Sequence, residues 1–346
     1  MILRLFLTIL CALIFQLPSP ADANGVRPKD CPLDEKYLLG LYAGNGEQFL
    51  IREQNGMLYV VYRYIADDKD YQKSNVFPLV KEHYDAYQVS ETGSLTNTEA
   101  GVKFERDKEG HGISCIIGGN RYTRVFFGPE KADYFKIKTT KPMEALRQDI
   151  QNAAMPVQTA PNVAELVNLA VIPDLKFDLR YATDKNCFSA PLYEDSKAYL
   201  NKNAAKALER VAKKLSDYGF GLVIWDAYRP WKASKLAYEA LPKEQKSLLP
   251  APEKGSPHNT GNAVDLSLYD LTTGEAIQMI SDFDEPSPRQ YAGFAGGTSL
   301  ERWERDLLQQ LMSIEGFTCS DMEWWHFDYD NKNSYQLLDI PFSALH

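Results

Sequence analysis

A chain of 346 residues, 44% hydrophobic and 25% charged, carries enough apolar material for more than one core and exceeds the usual size of one domain, so two domains are expected. The formal charge of -9, with no dense basic cluster to offset it, excludes a general nucleic-acid partner, because such binding depends on Lys and Arg neutralising phosphates.

Residues 1–23 read as a secretory signal peptide: Arg4 in a short positive start, an apolar run from Leu5 to Leu17, and Ala21-Asp22-Ala23 as an A-x-A cleavage site. That run is too short to span a bilayer comfortably, and no later stretch is long enough. The expectation is a periplasmic or secreted protein with no membrane span after cleavage. Cleavage leaves Cys31, Cys115, Cys187 and Cys319, an even number in an oxidising compartment, which favours disulfides over thiolate metal ligands. Three pairings are open; closing each domain on itself gives Cys31–Cys115 and Cys187–Cys319.

Residues 32–138 read as a small all-β, barrel-like accessory domain. Leu38 to Tyr42, Gln48 to Arg52, Met57 to Tyr64, Asp85 to Val89, Gly101 to Arg106 and Tyr122 to Phe127 are short runs rich in Tyr, Phe, Val and Ile. Turn signals separate them, among them Gly44-Asn45-Gly46 and the two-residue hairpin signal Asn55-Gly56. The layout resembles the small lipocalin-like accessory domains found beside secreted hydrolases, and no cluster of titratable residues names its ligand. Residues 139–162 change character, with Pro142, Pro156 and Pro161 and a short helix over Met143 to Ala153, and read as the linker.

The second domain, residues 163–346, reads as α+β with a mostly antiparallel sheet. Ser196 to Tyr218 is an amphipathic helix with Leu200, Ala204, Leu208, Val211 and Leu215 at helical spacing. Gly221 to Trp225 is a buried strand that delivers Asp226 to Pro230 at its end, and Trp231 to Leu241 resumes as helix. Along Ala263 to Leu268 apolar residues alternate, which puts Asp265 on the strand face opposite Val264 and Leu266. Leu300 to Ile314 is a further helix, closed by Gly316.

Ser256-Pro257-His258-Asn259-Thr260-Gly261-Asn262-Ala263-Val264-Asp265 and Glu323-Trp324-Trp325-His326-Phe327 carry the chemistry. A catalytic zinc takes three N or O ligands and keeps one position open; His258, Asp265 and His326 are the candidate ligands of one zinc ion per chain. A seven-residue spacing would put His258 and Asp265 on opposite faces of a continuous strand, so a turn at Gly261 is required. The three-residue spacing of Glu323 and His326 places Glu323 ahead of the strand, as an acid/base near the metal that takes a proton from the attacking water and passes it to the leaving amine. Arg229, a permanent charge at a strand end, suits the oxyanion of a tetrahedral carbon.

Ser256-x-His258-x-x-Gly261-x-Ala263-x-Asp265 with Glu323-x-x-His326 resembles the metal signature of the zinc D-Ala-D-Ala peptidase superfamily. Asp178 to Thr183, Trp225 to Pro230 and Glu323 to Phe327 are similar to the VanX-type D-alanyl-D-alanine dipeptidases, over roughly residues 163–340. The resemblance implies the same roles for His258, Asp265, His326, Glu323 and Arg229. It further implies an aspartate that holds the substrate's free amine, for which Asp284 aligns best and Asp282 competes, and a substrate contact from Ser256. The implied function is hydrolysis of D-Ala-D-Ala or a similar small peptide derived from peptidoglycan. The alternatives are a D,D- or L,D-carboxypeptidase acting on stem peptides, and a non-catalytic zinc-stabilised binding module.

Overall fold

The structure, a computed structural model, describes residues 27–62, 75–89, 101–127, 135–195, 197–329 and 334–345. The expected leader and its cleavage site lie outside these residues. After one helical turn, α1 (Leu33–Lys36), come β1 (Gly40–Gly44), β2 (Glu47–Gln54), β3 (Met57–Tyr62), β4 (Asn75–His83), β5 (Ala86–Val89), β6 (Gly101–Arg106), β7 (Gly112–Ile117) and β8 (Asn120–Val125). Each pairs antiparallel with the next, and β8 returns to β1 through Leu41↔Val125, closing an eight-stranded up-and-down barrel. The first two hairpins turn at Asn45-Gly46 and Asn55-Gly56, where all four residues have positive φ, the geometry that continues the right-handed strand twist. Tyr42, Phe49, Ile51, Val60, Phe104 and Tyr122 belong to the side chains that fill the interior.

Two of these strands go beyond the six expected from sequence. β4 carries Pro78 opposite Tyr59 of β3, and a residue without an N–H reads poorly as a strand. β7 opens on Gly112, where a Cβ would lie 2.7 Å from the Tyr42 hydroxyl; the glycine that blurs the strand pattern is what lets the chain pass that ring.

The disulfide expectation is corrected. All four cysteines in the described residues are free thiols. Cys115 is sealed in the barrel core, whereas the Cys31 Sγ turns to the Pro32 carbonyl at 3.6 Å. In the other domain the Cys187 Sγ faces Asp284 Oδ2 at 3.6 Å, while the Cys319 Sγ turns to the carbonyls of Ser320, Glu323 and Trp324. Burial pushes the thiols of Cys31, Cys115 and Cys319 up to about 12, which suits protonated, inert groups.

The second part begins with α2 (Met143–Ile150), whose Leu146 and Ile150 join the large core of the domain that follows. Then come β9 (Leu166–Asn168), β10 (Leu175–Phe177), β11 (Tyr199–Asn201), α3 (Lys202–Ser216), β12 (Phe220–Asp226), α4 (Trp231–Ala240), β13 (Ala263–Asp270), α5 (Ser299–Ile314), β14 (Phe317–Cys319) and β15 (His326–Tyr329). The main sheet runs β10-β12-β13-β15-β14, parallel only between β10 and β12, and a small β11–β9 ribbon lies apart. The fold is α+β with a mostly antiparallel sheet.

α3 starts later than its periodicity suggests. Asn201 ends β11 and caps the helix by accepting from the Asn203 N–H at 3.1 Å, and its amide also donates to Asn262 Oδ1 at 2.9 Å. From there Ala204, Leu208, Val211 and Leu215 bury one face. Among the described residues no helix is long and apolar enough to cross a membrane.

The cysteine assignment is open to a direct count. A chain beginning at residue 24, folded under oxidising conditions and then unfolded without reductant, should react with Ellman's reagent at all four cysteines; a count of two or none would restore a bridge.

Candidate active site

Three adjacent strands bring their functional residues abreast. In the register of the sheet Asp226, last in β12, lies opposite Asp265 of β13, and Asp265 lies opposite His326, first in β15. The register slips between Ile224 and Asp226, a bulge that re-aims the end of β12 at the place where the ligands gather. Glu323 sits in the turn before β15, with the His326 N–H on its carbonyl at 3.2 Å.

His258 arrives from outside the sheet on a 3-10 turn, Pro257–Thr260. The Ser256 hydroxyl caps that turn by accepting from the His258 N–H at 3.3 Å, and the Asn259 side chain returns the bond from the Ser256 N–H at 2.8 Å. Gly261 then reverses the chain at φ +74°, and a Cβ there would come within 2.4 Å of the Leu166 side chain. The turn demanded by the spacing of His258 and Asp265 is therefore present. The loop is also tied to Arg229: the Arg229 N–H donates to the His258 carbonyl at 3.1 Å, and the Asn259 amide donates to the Arg229 carbonyl at 2.9 Å.

The ligand atoms of His258, Asp265 and His326 all lie within 4.8 Å of one another. His258 Nε2 is 3.1 Å from His326 Nδ1 and 3.4 Å from Asp265 Oδ2, and His326 Nδ1 is 2.9 Å from Asp265 Oδ1. The outer nitrogens set the tautomers. His258 Nδ1 is 2.7 Å from the Ala227 carbonyl, which can only accept, so Nδ1 donates and Nε2 faces the other two groups. His326 Nε2 faces Asp328 Oδ1 at 3.1 Å, which turns Nδ1 toward Asp265 and His258.

Two ring nitrogens and a carboxylate thus converge on one point, where a proton or a metal ion can bind. Only positive charge relieves this arrangement. Enclosure would lower the His326 pKa, but Asp265 and Asp328 override it and raise it well above the ordinary value. Burial would likewise raise Asp265, yet the two imidazoles hold it well below the usual carboxylate range. A divalent cation with N and O ligands satisfies all three groups, and the outer hydrogen bonds are those that metal-bound histidines ordinarily make.

The remaining candidates surround this cluster. Enclosure raises the Glu323 carboxyl, with Asp265 adding to the effect and His326, His258 and Arg229 opposing it. Arg229 is buried, with Nε and Nη2 on Asp226 Oδ2 at 2.8 and 2.5 Å and its guanidinium 4.6 Å from the Tyr181 ring centroid. Asp284 accepts from the Tyr181 hydroxyl at 2.8 Å, in a backbone held at φ +57°. Its carboxyl is pushed up to about 7 by enclosure first, with Glu323 and Asp265 adding and Tyr181 and Arg229 pulling back. Asp282, the competing residue, points into its own loop and accepts from the Phe283 N–H at 2.9 Å. The structure therefore gathers His258, Asp265, His326, Glu323, Arg229 and Asp284, makes Ser256 the cap of the His258 turn, and gives Asp282 a hydrogen bond within its own loop.

Sequence reasoning assigned no role to Asp226, Tyr193 or Tyr181. The fully buried Asp226 carboxylate holds Arg229 with one oxygen and accepts from the Tyr193 hydroxyl at 2.7 Å with the other. Asp226 and Tyr181 stand inside motifs already singled out; nothing in the pattern around Tyr193 marks it.

A His-Asp-His donor set, a carboxylate beside it and a buried guanidinium are the equipment of a metal-dependent hydrolase. The Peptidase_M15 family model, D-ala-D-ala dipeptidase, matches residues 162–343. The D-alanyl-D-alanine dipeptidase of Escherichia coli (strain K12) is 36% identical over 184 residues, 53% of this chain and 94% of that protein. That of Enterococcus faecalis (strain ATCC 700802 / V583) is 31% identical over 186 residues, 49% of this chain and 88% of that protein. Among solved structures the LdcB LD-carboxypeptidase aligns with a TM-score of 0.31 and 20% identity, covering 51% of this chain and 74% of that one, a likeness that carries no argument. The chain belongs to the Peptidase_M15 family, D-ala-D-ala dipeptidase, and is a metallopeptidase.

The Asp284 shift has a sign that can be checked. A carboxyl raised in the folded state binds its proton more tightly there than in the unfolded chain, so its contribution to stability is present below the unfolded value near 3.8 and is lost as pH rises through about 7. Asp284→Asn, which cannot ionise, should therefore raise the melting temperature more at pH 8 than at pH 5. An equal gain at both would mean Asp284 does not titrate in that window.

Proposed function

We propose that the protein is a zinc-dependent dipeptidase that cleaves D-Ala-D-Ala, or a similarly short dipeptide derived from peptidoglycan, outside the cytoplasm. The observation that carries this reading is Asp284: a carboxylate apart from the ligand set, close enough to Glu323, Asp265 and Arg229 for their charges to shift it, and held in place by Tyr181. A lone carboxylate at that position suits the free ammonium of a dipeptide, which a peptide interior lacks. The enclosure of the site, with Arg229, His258 and Asp265 at most 6% exposed, also favours a small substrate over a long stem peptide. The names of the related dipeptidases agree with this substrate class, and a leader at residues 1–23 would carry the enzyme out of the cytoplasm.

In this reading His258 Nε2, Asp265 and His326 Nδ1 hold one zinc ion. When bound there, zinc supplies a Lewis acid and lowers the pKa of a water toward about 7. Glu323, its carboxyl already raised by enclosure, takes a proton from the attacking water and returns it to the leaving amine. Arg229, fixed by Asp226 and so unable to swing, presents its charge to the oxyanion that forms as the scissile carbon becomes tetrahedral. Asp284 grips the amine at the other end. The Ser256 hydroxyl accepts from the His258 N–H and keeps its own proton for a substrate carbonyl.

Chromatography of products from D-Ala-D-Ala and from a stem pentapeptide, with and without chelator, tests the assignment. Faster, chelator-sensitive cleavage of the dipeptide is expected; faster release of terminal D-Ala from the pentapeptide would make the protein a carboxypeptidase, and hydrolysis of neither would leave a binding module. Glu323→Gln should lower kcat about 10²- to 10⁴-fold with about one zinc still bound per chain, and Arg229→Ala about 10²- to 10³-fold. His258→Ala should lose the metal itself, read by elemental analysis.

A further inference from the structure

The family match begins at residue 162, so the barrel needs a function of its own. Its interior is filled by side chains such as Phe49, Ile51 and Phe104. Its outer face is more informative. Leu41, Leu50 and Val61 are cross-strand neighbours on β1, β2 and β3, pairing Leu41↔Leu50 and Leu50↔Val61, and they make an apolar stripe on the outside of the barrel. Leu50 and Val61 are nevertheless only 1% exposed, because Ile280, Phe294 and Ala295 cover them. Those three residues lie near the two ends of the segment from Met279 to Gly297, and Asp284 sits between them.

Polar contacts follow the same line. The Glu53 N–H at the end of β2 donates to the Gly297 carbonyl at 3.2 Å. The buried Glu53 carboxylate accepts from the Ser299 N–H at 2.7 Å and the Ser299 hydroxyl at 3.2 Å at the start of α5, while Arg302 donates to the Glu53 carbonyl at 2.7 Å. On its other side the segment is bonded to the catalytic turn: the Trp324 indole donates to the Ser281 hydroxyl at 2.8 Å, and the Trp324 N–H donates to the Gln290 carbonyl at 2.8 Å. Phe283, next to Asp284, stands against Tyr181, Trp225 and Trp325. The segment is thus held between the barrel and the floor of the site.

We infer that the barrel is a brace for residues 279–297, and that by fixing this segment it sets how tightly Asp284 holds the amine of the substrate. The inference rests on the reading of Asp284 given above. One face of the segment that carries Asp284 is held by another domain. Asp284 itself stands in a left-handed backbone conformation in the middle of this segment, so its placement depends on how the flanking residues are held. The barrel residues take no part in chemistry; they act by positioning.

The test uses the full chain loaded with zinc, with Leu50→Lys to break the stripe and Leu50→Met as its conservative partner. In the intact protein the amides of residues 279–297 should be protected from hydrogen exchange; Leu50→Lys should expose them and lower kcat/KM for D-Ala-D-Ala about ten- to a hundredfold, chiefly through KM, with zinc content unchanged and Leu50→Met close to the parent. In an Asp284→Asn background the same change should have little further effect on kcat/KM, because the contact it acts through is gone. Unchanged protection and KM, or the same factor in both backgrounds, would overturn the brace. Should Leu50→Lys fail to fold, Glu53→Gln, which weakens the bonds to Ser299, carries the same readouts. If the parent enzyme leaves D-Ala-D-Ala intact, the substrate reading fails, and the exchange data alone still decide whether the barrel holds the segment.

Discussion

Two imidazole nitrogens and a carboxylate held within hydrogen-bonding distance of one another are stable only with a positive charge among them. The catalytic domain is built to keep them in that position. Hydrogen bonds to the Ala227 carbonyl and to Asp328 fix the far side of each ring and aim the other nitrogen at Asp265. The sheet register sets Asp265 beside His326, and the capped turn with its left-handed Gly261 brings His258 across. Backbone geometry and ring orientation therefore enforce the same demand for a cation.

Much of this site can be read along the chain because its constraints are local. The seven-residue step from His258 to Asp265 is incompatible with a single strand, and the glycine between them is the residue able to resolve it. The three-residue step from Glu323 to His326 likewise places one residue in a turn and the other on β15. What cannot be read is what depends on neighbours far away in sequence. Asp226 is the last residue of an apolar strand, and its importance follows from a bulge and from Tyr193, which lies 33 positions earlier. Between Asp284 and Asp282 no local pattern decides; the contact that distinguishes them is the hydrogen bond to Asp284 from Tyr181, 103 positions away.

The barrel shows the same boundary between local and distant information. Its two Asn-Gly turns announce hairpins through residues that tolerate positive φ, and the fold follows them. β4 and β7 escape detection because each contains a residue that usually breaks a strand, Pro78 or Gly112, accepted here for reasons of pairing and of space beside Tyr42. The cysteines illustrate a different limit. Their even number concerns the compartment, while pairing is decided by where the thiols point. Cys115 in the barrel core and Cys187 against Asp284 point at partners that composition cannot disclose.

The charge balance of the pocket links metal, substrate and barrel. Asp226, Asp265, Asp284 and Glu323 lie near one guanidinium, Arg229, and the environment treats them unequally: Asp265 is driven to ionise, while Glu323 and Asp284 are pushed toward their protonated forms. Such an excess of acid in an enclosed space is costly unless cations enter it. In the proposed function a divalent ion would relieve Asp265 and a substrate ammonium would relieve Asp284. The conformation that presents Asp284 is least comfortable when that ammonium is absent, because the carboxylate then loses solvent without gaining a partner of opposite charge. Support from the far side of the segment would be the physical means of holding that conformation ready. That is the side on which Leu50 and Val61 lie.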